Sequence, residues 1–278
     1  MKTNIVILYF IMKALRLPLL LIAFFVIGNC SLNAAQLATA KAVDIVGTVT
    51  KYNKDGNSPL VAGDILNQGD SISVTALSSA QLVFSNGSTI DLKENTSIDI
   101  TELTQDSFGG NKSYEQLEAD PSKSQALLEL NYGELDGHVK KLQKGSKFVI
   151  NTPLGTAAIR GTRFTIKLAY NKKRNEFSIS VVNKDGVVMF QSDFDYDQSS
   201  VNKEKNSSRN KKGLKSIPKK QEINVRVHRN NPKFEAIFNR IRSRLPTEVR
   251  PPSDLPFVPT PEDPDIQIVS PNTPAGPV

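Results

Sequence analysis

The sequence predicts an all-β fold, either β-solenoid-like or a sandwich of short strands. One C-terminal amphipathic helix and a disordered Pro-rich tail follow. Three observations predict it. Apolar and polar residues alternate at period two, as in Ile98 and Ile100 against Ser97, Asp99 and Thr101, the pattern of half-buried strands. Corners of Gly-Asp, Asp-Gly and Gly-Ser type punctuate the runs at short spacing. A helical period is carried only by the stretch from Phe234 to Leu245.

Residues 1–35 read as an export signal. Lys13 and Arg16 make a positive start, and Leu17 to Ile27 is an apolar run of 11 residues. That is shorter than the ~20 a spanning helix usually needs. Counted from Met1 the apolar stretch lengthens, so an uncleaved anchor stays open. Two processing routes compete. Ala34 and Ala35 offer small residues for cleavage, whereas Cys30, the one cysteine, sits where a lipoprotein signal places its acylated residue. Asn29 departs from the small residue usual before such a cysteine. A single cysteine excludes an internal disulfide.

Strands and turns fill residues 42–190. Lys54-Asp-Gly-Asn57 is a hairpin turn, and Gly63-Asp64 and Gly69-Asp70 are corners six residues apart. Ordinary turn chemistry explains these acidic corners, because they lack the spacing of a calcium loop. Residues 106–123 are polar and read as a loop or insertion. Asn171–Asn175 and Lys184-Asp-Gly186 read as further hairpin turns. Residues 191–221 read as a basic flexible insertion, since ten Lys or Arg and two Glu lie between Val201 and Arg229. The segment 222–245 supplies a closing strand, Ile223, Val225 and Val227 alternating with Glu222, Asn224 and Arg226, and then the helix. Asn231 caps that helix, Pro232 takes its first position, and Phe234, Ile237, Phe238, Ile241 and Leu245 form its apolar face. Residues 246–278 hold ten of the sixteen prolines, so they cannot pack a core and read as an extended tail.

Composition excludes several functions. The formal charge of +7 falls to +4 without residues 1–34, which carry Lys2, Lys13 and Arg16. That balance, on an exported chain, argues against nucleic acid as a partner. His138 and His228 are the only histidines. His138 reads as an exposed turn residue, and neither has a nucleophile or acid at triad spacing. No phosphate loop, carboxylate pair or zinc box is present. The chain is therefore read as a non-enzymatic protein without cofactor or metal.

The stretch Asn151 to Ile166 organises the rest. Pro153 turns the chain, while Gly155 and Gly161 permit positive φ or close backbone approach. Thr156 to Ile159 suits a tightly packed turn. Arg160 is placed to satisfy carbonyls that no ladder uses, as one buried guanidinium locking two layers. Thr152, Pro153, Gly155, Arg160, Gly161, Thr162 and Phe164 form this structural clamp.

This pattern resembles the signature of the FecR-type domain, the periplasmic module of ferric-citrate-type sigma regulators. The blocks Gly47 to Ile72 and Ala80 to Leu92 resemble the same family's earlier strands. The resemblance implies a module that relays signals from an outer-membrane TonB-dependent transporter to a sigma factor. It departs in one respect: only 16 residues precede Leu17, with no room for a sigma-binding helical segment. The main expectation is thus a stand-alone protein-protein or surface-polymer binding module of the periplasm or cell envelope, in membrane contact through its signal anchor or a lipid on Cys30. The alternative is a signalling component of an iron-siderophore sensing system, partnered by such a transporter and a sigma regulator.

Overall fold

The computed structural model describes residues 36–109, 112–197 and 212–244. Cys30, the expected export signal and the proline-rich tail lie outside them. Fifteen strands form one hydrogen-bonded sheet. They are β1 (Gln36–Leu37), β2 (Ala40–Val46), β3 (Val49–Asn53), β4 (Gly56–Pro59), β5 (Ile65–Leu66), β6 (Ser71–Val74), β7 (Ser79–Phe84), β8 (Thr89–Leu92), β9 (Thr96–Gln105), β10 (Ser124–Val139), β11 (Lys147–Thr152), β12 (Gly155–Asn171), β13 (Glu176–Ser192), β14 (Gly213–Ile217) and β15 (Gln221–His228). The one α-helix among the described residues is α1 (Phe234–Arg244).

Three strands run 16 or 17 residues, far beyond the short rungs expected. Each changes partners halfway. The first half of β10 pairs β9 and β11, and its second half pairs β8 and β12. In β12 the first half faces β11 and the second half β10, while β13 runs beside it throughout. β13 then hands its two halves to β15 and β14. The sheet thus folds into two layers across a line of corners. One layer reads β5-β2-β7-β8-β10-β12-β13-β15. The other reads β4-β3-β6-β9-β10-β11-β12-β13-β14. Strands that switch sheets through bulges are the usual device for such corners.

Alternation sets which side chains enter. Along β12, Ala157, Ile159, Phe164, Ile166 and Leu168 are buried. They join residues of both layers in a single apolar cluster. Phe84 of one layer meets Phe148 of the other edge-on, with centroids 5.5 Å apart. The expected packed turn over Thr156–Ile159 is instead regular strand, hydrogen-bonded to β11 and β13. Two alanines there do not select a turn, and the period-two pattern runs straight through them.

The corners and turns follow local chemistry. Lys54-Asp55 turns the β3–β4 hairpin, and Asn171 Oδ1 accepts from the amides of Lys173 and Arg174 in the β12–β13 turn. The carboxylates of Asp64 and Asp70 accept from the amides of Val61 and Asn67, closing their own turns. The loop expected over residues 106–123 holds a 3₁₀ turn, Tyr114–Gln116, closed by a capping box with Ser113.

Two further expectations change. Lys184-Asp-Gly186 is a bulge inside β13 and not a hairpin turn. The stretch expected as a flexible insertion over 191–221 contains β14, with Ile217 1% exposed, and Phe194 and Tyr196 are also buried. Its charge density hid these few apolar anchors.

α1 packs on the sheet through Phe234, Ile237, Phe238 and Ile241. Phe177 lies 5.0 Å, centroid to centroid, from Phe234, and Tyr170 flanks the pair. The helix runs from Phe234, and ahead of it Asn231 Oδ1 accepts from the Lys233 amide as a capping residue does, while Asn231 O accepts from the Phe234 amide. Arg240 pairs with Glu129 of β10.

Candidate functional site at the sheet corner

The residues of the expected clamp line two distinct features along β11 to β13. Thr152 and Gly155 close the β11–β12 hairpin around Pro153 and Leu154. The Thr152 hydroxyl accepts from the amides of Leu154 and Gly155, at 3.2 and 3.1 Å, and donates to Gly155 O at 2.8 Å. Pro153 fits the leading central position of such a turn. Gly155 is needed for space: a Cβ there would lie 2.5 Å from both Gln191 O and the Phe190 ring.

The second feature is the corner itself. Gly161 has φ +59° and Gly186 φ +84°. They face each other so closely that a Cβ on Gly186 would come within 2.1 Å of Gly161 O. Thr162, 1% exposed, holds the two strands together. Its hydroxyl accepts from Val187 N at 2.8 Å and lies 2.8 Å from Val187 O and 2.9 Å from Arg160 O, sharing its one proton between them. Asn183 adds a second tie, its Nδ2 donating to Gly186 O and Ile217 O. Phe164 fills the core below and explains Gly137, where a Cβ would sit 2.2 Å from the Phe164 ring.

Arg160 does not take the part expected of it. It is exposed, and no hydrogen bond or ion pair holds its guanidinium among the described residues. The lock is the Thr162 hydroxyl. A guanidinium would need to be desolvated in a corner whose carbonyls the bulge already serves, which is unfavourable. Thr162 lies in the same motif. Gly186 and Asn183 were missed because their Asp-Gly context reads equally as a hairpin turn. The signal that separates them is alternation continuing on both sides of the glycine.

The corner's outer surface is cationic. Arg163 lies in register with His138 across β10–β12, and Lys140 and Lys141 follow on the β10 side. Arg160, Lys140 and Lys141 form no ion pair among the described residues, while Arg163 lies in register with Asp185, whose carboxylate pairs with Lys219 at 2.8 Å. His138 is half-buried within β10 and is not an exposed turn residue. Burial, and then Lys140 and Arg163, push its imidazole below the ordinary 6.5. Nearby Asp136 accepts from Lys184 at 2.7 Å and Lys93 at 3.2 Å, and also from the Thr165 hydroxyl. Burial alone would raise its carboxyl, but these bonds outweigh that and lower it. His228 lies at the end of β15, with Nδ1 3.3 Å from the buried Glu176 carboxylate. The two histidines sit in different surroundings, and neither faces a nucleophile. The arrangement is suited to holding an anionic surface.

Residues 70–188 match the family model described as FecR protein. That span includes the hairpin, the corner and the cationic rim. No curated protein matches the chain. Two crystal structures of a candidate anti-sigma factor from Parabacteroides distasonis are similar at 16% identity and a TM-score of 0.35, over 58% of this chain. The similarity spans 56% and 55% of their chains, little more than half of each.

Proposed function

We propose that this chain, which carries a FecR domain over residues 70–188, is a signalling component of an iron-siderophore-type cell-surface sensing system. The family match carries this reading, since FecR proteins are regulators. It favours signalling over the more general binding or scaffold role. In this reading the domain is exported to the periplasm or cell envelope. It works between a TonB-dependent transporter and a sigma-factor regulator, without chemistry of its own. The folded corner supplies a rigid support, and Arg160, Arg163, Lys140 and Lys141 supply a charged face for an acidic partner segment. Such a face steers association and fixes orientation.

Transcript profiling of cells with and without the gene, grown on ferric citrate and on other ferric siderophores, tests it. The expected result is one sigma-dependent transporter set whose induction is altered by the deletion. Identical profiles under every iron source would overturn the proposal.

A further inference from the structure

The outer face of the layer that contains β11 is apolar, where a solvated sheet face is usually polar. Leu127 pairs in register with Val149, Val149 with Ala158, and Ala158 with Met189. The residues that follow or precede them, Leu128, Phe148, Ile159 and Val188, are buried, so these four share the outward side. Val187 and Leu214 border the β13–β14 end of the row, 52% and 62% exposed. From β10 to β14 the patch crosses four strand spacings, about 19 Å. The outer face of the other layer is dressed differently: there Lys93, Lys184 and Lys167 pair with Asp136 and Glu134. A contiguous apolar patch left on a surface marks a docking face.

The two flanks of the row differ in charge. Toward the corner stand Lys147 and Arg160, both exposed and without an ion pair among the described residues. On the other side stand the uncharged Asn151, Thr156 and Gln191, and Glu129, which Arg240 occupies. α1 runs along this second flank. Lys233, one residue before it, pairs with Asp193 just beyond β13, and Arg240 pairs with Glu129 of β10. The chain therefore leaves the described structure, at Arg244, close to the Leu127 end of the row.

The sequence that follows complements the face. Residues 251–278 carry Asp254, Glu262, Asp263 and Asp265 and no Lys or Arg, with Leu255, Phe257, Ile266 and Ile268 among the acids. We propose that the segment Asp254–Val269 of the chain's own tail docks on this row, its apolar residues against Val149, Met189 and Leu214 and its carboxylates beside Lys147 and Arg160. The nine residues 245–253 separate Arg244 from Asp254, a reach of up to about 30 Å, enough for any point on the row. A tether sets an effective concentration on the order of millimolar, so even a weak contact fills the face. A second copy of the chain would set Lys147 and Arg160 against themselves or against uncharged residues. Leu127, Val149 and Met189 stand half-buried in the sheet, too shallow for the ~5–10 Å that membrane-interface anchors reach. Arg160 also belongs to the cationic rim, so a docked tail would compete there with an acidic partner. The inference rests on the row and its flank, and its test reads no transcript, so either reading can fail alone.

Carbodiimide crosslinking of the full chain, which joins a carboxylate to a lysine amine, tests it with peptide mass spectrometry as the readout. The expected product is a link within one chain from Lys147 to Glu262, Asp263 or Asp265. The Val187→Glu/Leu214→Glu double variant, at exposed positions, should lose that link. Ile266→Ser/Ile268→Ser leaves the sheet untouched and should lose it as well. Links from the tail to Lys147 no more frequent than links to Lys51 and Lys54 of the β3–β4 hairpin would overturn the proposal. So would links that join two chains, or links that persist in both double variants. Pelleting with phosphatidylglycerol vesicles that Val187→Glu/Leu214→Glu abolishes would also overturn it, and would assign the face to a membrane.

Discussion

Thr162→Val is the sharpest perturbation of the corner. Valine keeps the volume and branching of threonine and removes only the hydroxyl. That deletes the acceptor of Val187 N–H and the single proton shared between Arg160 O and Val187 O. Leaving a buried backbone donor unpaired costs about 1–3 kcal/mol, and the lost donated bond falls within that range once its carbonyls find other partners. For a domain of this size each kcal/mol lowers Tm by about 2–4 °C, so the expected fall is about 2–12 °C. Arg160→Ala should stay within about 0.5 kcal/mol, because its side chain is exposed and unheld. Urea unfolding of both variants checks this, with equal m-values required for a like comparison. A Thr162→Val midpoint equal to wild type, beside a strongly destabilised Arg160→Ala, would refute the hydroxyl lock and restore the guanidinium one.

Lowering pH should destabilise the fold through His138. Its folded pKa lies below 6.5, so the unfolded chain binds the proton first. The contribution is complete above about 6.5 and is lost as pH falls toward the folded value. His138→Gln should flatten that part of a stability-versus-pH curve. Asp136 is also depressed, so its contribution is present above 3.8 and disappears as pH falls through its lower folded value, a loss Asp136→Asn should remove. Phe234→Ala should cost about 3–5 kcal/mol by opening a cavity between α1 and β13, measured by thermal unfolding. If Cys30 carries a lipid, Cys30→Ser should move the protein out of the detergent phase in membrane fractionation; unchanged partitioning would exclude lipidation.

Much of the architecture was legible in the residues. Period-two runs such as Phe177, Ile179 and Val181 specify a strand and its inward face whatever it pairs with. Turn chemistry placed the Lys54-Asp55 and Asn171–Asn175 reversals, since Asn and Asp satisfy their own backbone locally. The apolar spacing from Phe234 to Ile241 marked the helix. The candidate site was legible only as a motif. Its residues were identified, but Arg160 was given the role that Thr162 performs. Burial of one neighbour and exposure of the next depend on which face meets the core.

The sequence by itself determined the class of structure, the period of each strand and the motif at its centre. All of these rest on contacts between residues close in the chain. The tertiary structure alone decided that β10, β12 and β13 are long strands shared between two layers. It also decided that Gly161 meets Gly186 and that Leu127, Val149, Ala158 and Met189 line up across four strands. Those outcomes depend on pairings between distant segments, whose register no local pattern encodes.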